Sequence, residues 1–258
     1  PPRSTLFPYT TLFRSCGQFP PPFRSDLQGS GQGLEGSTCS LVPRSKHKGP
    51  LVMIGVIDYG AGNLGNVLRA LAKLGHDARL LAGPQDLGSG FRLLVLPGVG
   101  AFPPARDELC RRGWPDRLHS WTSSGKPLLG ICLGMQLLYE ASLEDGRSEG
   151  LGFFRGEVQP LRGLKKSPHM GWNRVLWRGG ARGVPDLFPG GMDAYFVHGY
   201  AAPVTEDSIA ETRVDDAVFS SVSLKGNVAG FQFHPERSGP EGLRLLSVFI
   251  GFLTEALP

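Results

Sequence analysis

The chain has 258 residues, 40% hydrophobic and 19% charged, which suits one large globular domain or one domain with an extension. No apolar run approaches the roughly 18 residues of a membrane span, and the first residues lack the charged-then-apolar order of a signal peptide. The net charge of +4 does not indicate nucleic acid, because residues 1–52 hold six of the 27 basic residues and two of the 23 acidic ones; residues 53–258 are formally neutral.

Residues 1–50 differ in texture from everything after them. TLF recurs after six residues, FRS returns at Phe23, and Pro, Gly and Ser interrupt every hydrophobic period. The segment reads as a disordered extension. Leu41–Ser45 (LVPRS) resembles part of an engineered protease-cleavage linker, so we read 1–50 as an artefact of cloning, sequencing or gene prediction. A native extension, including an organelle-targeting one, is the alternative. The folded domain is then expected over 51–258.

Leu51–Asp58 is a continuous apolar run, the pattern of a strand buried on both faces. Asn63–Leu74 carries Leu64, Val67, Leu68, Leu71 and Leu74 at helical spacing. Between them Gly60–Gly65 spells G-x-G-x-x-G after a strand and before a helix. That pattern fits a dinucleotide fingerprint, although Leu80, Leu81 and Ala82 occupy the region where its acidic residue belongs. A plain glycine-lined turn is the competing reading.

Asp77–Leu81 and Phe91–Leu96 read as strands, the second running into Pro97-Gly98-Val99-Gly100. Pro103–Trp121 reads as a helical connection broken at Gly113 and Pro115, with Cys110 as a small core residue. Lys126–Tyr139 (KPLLGICLGMQLLY) is a strand that turns through Gly130-Ile131-Cys132-Leu133-Gly134 into a helical pattern. A strand-to-helix turn of the form G-x-nucleophile-x-G lifts one side chain out at a tight elbow, and the helix dipole there favours a thiolate. Four cysteines in 258 residues do not make a disulfide framework, and a free Cys132 suits a reducing, cytoplasmic setting.

After Gly150 the chain is strand-rich: Phe154–Leu161, Asn173–Trp177, Asp193–Ala201, Ser208–Val214, Ala217–Leu224 and Asn227–His234, added to the same sheet and including antiparallel pairs. Pro240–Leu257 closes the chain as a helix with Leu245, Phe249, Phe252 and Ala256 on one face. The expected fold is α/β, a mostly parallel central sheet covered by helices on both faces.

Phe231–Glu236 (FQFHPE) ends a strand with His234 and Glu236 two residues apart, so in an extended chain they project to one face. An imidazole oriented by a carboxylate is what a thiol's proton acceptor requires. Each half alone could be a structural cysteine or a surface ion pair. Both, however, sit at C-terminal strand ends, where open α/β sheets hold their sites. Gly98–Gly100 occupies that same edge, and its backbone N–H groups with that of Leu133 suit an oxyanion site.

GICLGMQ together with HPE resembles the class I (triad) glutamine amidotransferases, whose domain is a flavodoxin-like three-layer fold. Within that class, Asp58–Leu64 (DYGAGNL), Leu96–Phe102 (LPGVGAF), Pro168–Asn173 (PHMGWN), Tyr195–Tyr200 (YFVHGY) and Phe231–Gly239 (FQFHPERSG) resemble the glutaminase subunits of imidazole glycerol phosphate synthases. The similarity runs from about Met53 to the C-terminus. It implies that Cys132 attacks the side-chain amide of glutamine, that His234 shuttles the proton and that Glu236 orients His234. Gln136, His198, Gly199 and Tyr200 would contact the substrate, with no cofactor and no metal.

The resemblance further implies a heterodimer with a (β/α)8-barrel cyclase that consumes the ammonia. That cyclase converts a phosphoribulosyl formimino aminoimidazole carboxamide ribonucleotide to imidazole glycerol phosphate and the aminoimidazole carboxamide ribonucleotide. Its binding, with its ligand, would complete the oxyanion loop. Asn63 and Trp172 become interface candidates, and the dinucleotide reading is set aside. One departure is Gly199, where the family more often has Ser. Competing readings are the glutaminase of another ammonia-channelling synthase and a catalytically silent subunit.

Overall fold

The computed structural model describes residues 52–178 and 183–255. The expected extension over 1–50, and the last turn expected at 256–257, lie outside the described residues.

In chain order the elements begin β1 (Met53–Ile57), α1 (Leu64–Lys73), β2 (Asp77–Leu81), β3 (Phe91–Gly98), α2 (Phe102–Arg111), α3 (Trp114–Ser123), β4 (Leu128–Cys132) and α4 (Leu133–Leu137). Then come β5 (Tyr139–Ser142), β6 (Ser148–Glu149), β7 (Phe154–Pro160), β8 (His169–Trp177), α5 (Val184–Leu187), β9 (Met192–His198) and β10 (Tyr200–Ala201). The chain closes with β11 (Ser208–Val214), β12 (Ala217–Lys225), β13 (Val228–Phe231) and α6 (Gly239–Glu255).

The main sheet runs β2-β1-β3-β4-β13-β12-β11-β8-β9. Its first five strands pair in parallel and the rest antiparallel. Taken in chain order, the parallel strands have the 2-1-3-4-5 arrangement of flavodoxin-like folds. The pleat explains the layers. Along β3, Leu93 and Val95 join the core that also holds Val67 and Leu71 of α1 and Leu245 and Phe249 of α6. Leu94 and Leu96 point into the opposite core with Leu109 of α2, Trp114 and Leu118 of α3 and Leu137 of α4. Helices therefore cover both faces, as the apolar runs required.

Several expectations need correction. β5, β6, β7 and β10 form a second, four-stranded sheet rather than extending the first. The helix after Cys132 stops at Leu137, and Tyr139 already starts a strand that pairs with β7. The 193–201 segment is two strands separated at Gly199, each belonging to a different sheet. The helical connection does break at Gly113, in the left-handed region at φ 75°, but Pro115 sits in the first turn of α3 instead of breaking it. Cys110 is exposed, not a core residue. Its neighbour Leu109 takes the buried face, and one residue along a helix is a 100° rotation.

Candidate active site

Cys132 is the last residue of β4, and it turns into α4 at φ 56°, ψ −113°. A residue with a Cβ is strained there. The turn is held by close packing. A Cβ on Gly134 would stand 1.8 Å from the Leu96 carbonyl oxygen, so only glycine lets α4 sit this close to β3. Because α4 has five residues, its dipole is weaker than a full helix would supply. The charge environment of the sulfur comes mainly from elsewhere.

That source is His234. Cys132 is 5% exposed and His234 3%. His234 Nδ1 lies 2.8 Å from Glu236 Oε1, and the Glu236 side chain is 1% exposed. Burial by itself would depress the imidazole pKa, but negative charge at Cys132 and then at Glu236 outweighs it and raises the pKa to about 10. Among the described residues His234 Nε2 has no nitrogen or oxygen partner, which leaves it for the Cys132 side chain, whose hydrogen bond also raises the imidazole pKa. The extended stretch expected to align His234 with Glu236 is in fact a bend. β13 ends at Phe231, His234 is extended, and Pro235–Arg237 is a 3-10 turn that folds the carboxylate back on the ring. The His234 backbone is pinned by its N–H to the Tyr195 carbonyl at 3.0 Å and by the Ser238 hydroxyl to its own carbonyl at 2.7 Å.

β3 and β4 bring the glycine loop to the nucleophile. Gly98 is the registered partner of Cys132, Val99 is half-buried, and Gly100 is exposed at φ 101°. The Leu133 N–H, first in α4, has no acceptor within its own helix. Gln136, one turn on, is buried and donates from Nε2 to the Tyr200 carbonyl at 2.8 Å and to Gln232 Oε1 at 3.2 Å. His198 is buried and donates from Nδ1 to the same Tyr200 carbonyl at 2.9 Å. A Cβ on Gly199 would meet only Pro168 Cβ, at 3.9 Å, so nothing in the backbone demands glycine there.

The two interface candidates lie on other elements. Asn63 precedes α1 and makes no side-chain capping bond. Trp172, on β8, is 57% exposed beside exposed Met170, so it is not a core tryptophan. In the glycine loop before α1, the Gly60 N–H is already bonded to Asp58 Oδ1 at 3.0 Å.

The model of the family described as Glutamine amidotransferase class-I matches residues 55–251. The chain belongs to the class I glutamine amidotransferases. Among its relatives, the imidazole glycerol phosphate synthase subunit HisH of Streptococcus sanguinis is 44% identical over 205 residues, 79% of this chain and 98% of that protein. The subunit of the same name from Desulfitobacterium hafniense is 44% identical over 207 residues, 79% and 96% of the two chains. That from Caldanaerobacter subterraneus is 42% identical over 200 residues, 76% and 97%.

Solved structures share the amidotransferase fold at lower identity. A glutamine amidotransferase crystal structure matches with TM-score 0.60 at 19% identity, covering 77% of this chain and 98% of that one. The structure of PurLQS from Thermotoga maritima matches with TM-score 0.60 at 19% identity, covering 79% and 100%. At these identities the likeness concerns the fold.

Four residues of this amidotransferase site had no role assigned from sequence. Gln232 Nε2 faces the Cys132 sulfur at 4.0 Å, Ser238 holds the His234 backbone, and Asn173 and His169 bond to each other at 2.8 Å. All four stand inside the motifs FQFHPERSG and PHMGWN. Gln232 reaches Cys132 across 100 residues and His169 reaches His198 on the neighbouring strand, while the Ser238 and Asn173 contacts are local ones that only the folded backbone brings about.

Proposed function

We infer that this chain is the glutaminase subunit of an imidazole glycerol phosphate synthase, hydrolysing glutamine through Cys132, His234 and Glu236. The observation that supports the chemistry is the buried His234, bonded to Glu236 at 2.8 Å and kept protonated by negative charge at Cys132. Such a pair offers a nucleophile and a general acid in one arrangement.

The Cys132 sulfur attacks the glutamine side-chain carbonyl carbon. The carbonyl oxygen takes the negative charge and is met by backbone N–H groups of Leu133 and the Gly98–Gly100 loop. His234 gives its proton to the departing nitrogen as the C–N bond breaks, releasing ammonia and leaving a γ-glutamyl thioester. A water then attacks, His234 takes its proton, and the C–S bond breaks to give glutamate and the free nucleophile. Glu236 holds the imidazole in register through both steps. Gln136, with His198, Gly199 and Tyr200, positions the substrate.

The ammonia goes to a (β/α)8-barrel cyclase bound as a heterodimer partner in the cytoplasm, with Trp172 and Asn63 on the docking side. The 41–44% likeness to synthase subunits across almost their full length supports this assignment. Residues 1–50 are an addition to the catalytic domain of 51–258 and take no part in the chemistry.

A glutamine-shaped diazoketone tests the nucleophile. Alkylation of Cys132 with loss of dinitrogen should add one inhibitor mass, be slowed by glutamine and vanish in Cys132→Ala. Labelling that persists in Cys132→Ala contradicts the assignment.

A further inference from the structure

Asn173, His169 and His198 lie outside the Cys132–His234–Glu236 group, yet one path of polar contacts joins them to it. Asn173 Nδ2 is 2.8 Å from His169 Nε2, and His169 Nδ1 is 3.2 Å from His198 Nε2. His198 Nδ1 is 2.9 Å from the Tyr200 carbonyl oxygen, which also accepts from Gln136 Nε2 at 2.8 Å. Gln136 Nε2 continues to Gln232 Oε1 at 3.2 Å, and Gln232 Nε2 faces the Cys132 sulfur at 4.0 Å. β8 and β9 set the two histidines directly opposite each other as a registered pair.

One atom dictates every proton on this path. A carbonyl oxygen only accepts, so the His198 nitrogen facing Tyr200 must carry its hydrogen. In a neutral ring Nε2 is then a lone pair, and His169 must donate to it from Nδ1. That leaves His169 Nε2 as an acceptor, and Asn173 must present its NH2. The same carbonyl requires the NH2 of Gln136, which turns Gln136 Oε1 the other way. With the Asn173 NH2 held toward His169, a second proton on either ring would set two donors against each other.

The surroundings keep both rings neutral. Burial lowers the His169 pKa, against a smaller opposing pull from Asp215. Burial lowers that of His198 to about 3, with His169 and His234 adding to the effect and the Tyr200 carbonyl opposing it. Phe196 and Phe219 pack on both rings, at centroid distances of 4.9–5.8 Å.

We propose that the neutral His169–His198 pair, oriented by Asn173, is a positioning relay that fixes the Tyr200 carbonyl and through it the amide orientation of Gln136 and Gln232 beside Cys132. The proposal rests on the glutaminase reading, adds His169 and Asn173 to it as positioning residues, and makes His198 act through the Tyr200 carbonyl. With both donors in place, the two lone pairs of the Tyr200 oxygen are filled and the Gln136 amide has one low-energy orientation. Without the histidine donor the carbonyl can turn, and Gln136 loses its fixed partner. Substrate binding should suffer more than the chemical step.

The test uses the full chain with its cyclase partner, comparing His169→Leu with His169→Asn, together with ¹⁵N spectra of the histidines in the wild type. His169→Leu should raise KM for glutamine about tenfold, the worth of one buried hydrogen bond, with kcat within about threefold. His169→Asn, whose amide can donate from near the Nδ1 position, should restore KM to within about threefold of wild type. The spectra should show both rings neutral and protonated at Nδ1 at neutral pH. An unchanged KM in folded His169→Leu, a ring protonated at Nε2, or an imidazolium at neutral pH would overturn the relay. If His169→Leu does not fold, the wild-type spectra and His169→Asn decide the question. The spectra do not depend on turnover. The expected tautomers in a wild type that cannot hydrolyse glutamine would therefore count against the glutaminase reading, and with it against any catalytic purpose of the pair.

Discussion

Cys132 acts on the ionisation of His234. Burial opposes charge on the imidazole, and negative charge at Cys132, ahead of Glu236, reverses that effect and raises the His234 pKa to about 10 from an ordinary 6.5. The sign of the linkage follows: the stability contributed by protonated His234 is fully present below pH 6.5 and is lost as pH rises through about 10. Cys132→Ser removes the larger of the two favourable charges. The His234 pKa should then fall, read from the pH dependence of its imidazole resonances, and the alkaline loss of thermal stability should move to lower pH. An unshifted His234 in that variant would mean that the sulfur carries no charge in the resting site. The residues we propose as nucleophile, base and orienter were legible as candidates from sequence because each stands in a short motif with its own chemical logic. Gln232, His169 and Asn173 were not: Gln232 meets Gln136 and Cys132 across about 100 residues of chain, His169 meets His198 on the neighbouring strand, and Asn173 acts only by way of His169.

The elbow is the element on which the site depends. β4 and α4 meet at a residue held in a conformation worth about 1–3 kcal/mol of strain, which persists because the neighbouring backbone leaves no alternative. Gly134 shows how tight that packing is, with the Leu96 oxygen 1.8 Å from a would-be Cβ. Gly134→Ala should destabilise the protein by about 3 kcal/mol or more, through forced separation of α4 from β3, measured by chemical denaturation. A loss below about 1 kcal/mol would show that the elbow relaxes easily. The parallel strands and their flanking helices were legible because fully buried runs and helical periods are strong signals. The second sheet was not. Leu133, Leu137 and Leu138 continue a helical pattern into Tyr139, and only tertiary pairing with β7 makes Tyr139–Ser142 a strand. The bend at Pro235 was hidden for a similar reason: proline after His234 is compatible both with a continued strand and with the first position of a 3-10 turn.

At the scale of the whole molecule, the family match covers 55–251, and the Streptococcus sanguinis relative is matched over 98% of its own length by 79% of this chain. The catalytic domain therefore accounts for what the relatives share. A chain beginning at residue 51 should keep the kcat and KM of the full chain for glutamine; a drop of tenfold or more in kcat/KM would give residues 1–50 a functional role. The same domain presents Met170 and Trp172, 56% and 57% exposed, on one strand, and such a patch fits a docking side for a second subunit. We propose a glutaminase whose nucleophile is Cys132 and whose activity depends on a cyclase. Its most direct test is glutamate release from glutamine by the wild type and Cys132→Ala, each alone and with the barrel cyclase and its nucleotide ligand. We expect low activity alone, strong stimulation by the liganded partner, and no activity in Cys132→Ala under either condition. Hydrolysis that survives Cys132→Ala, or that the liganded cyclase leaves unchanged, would contradict it.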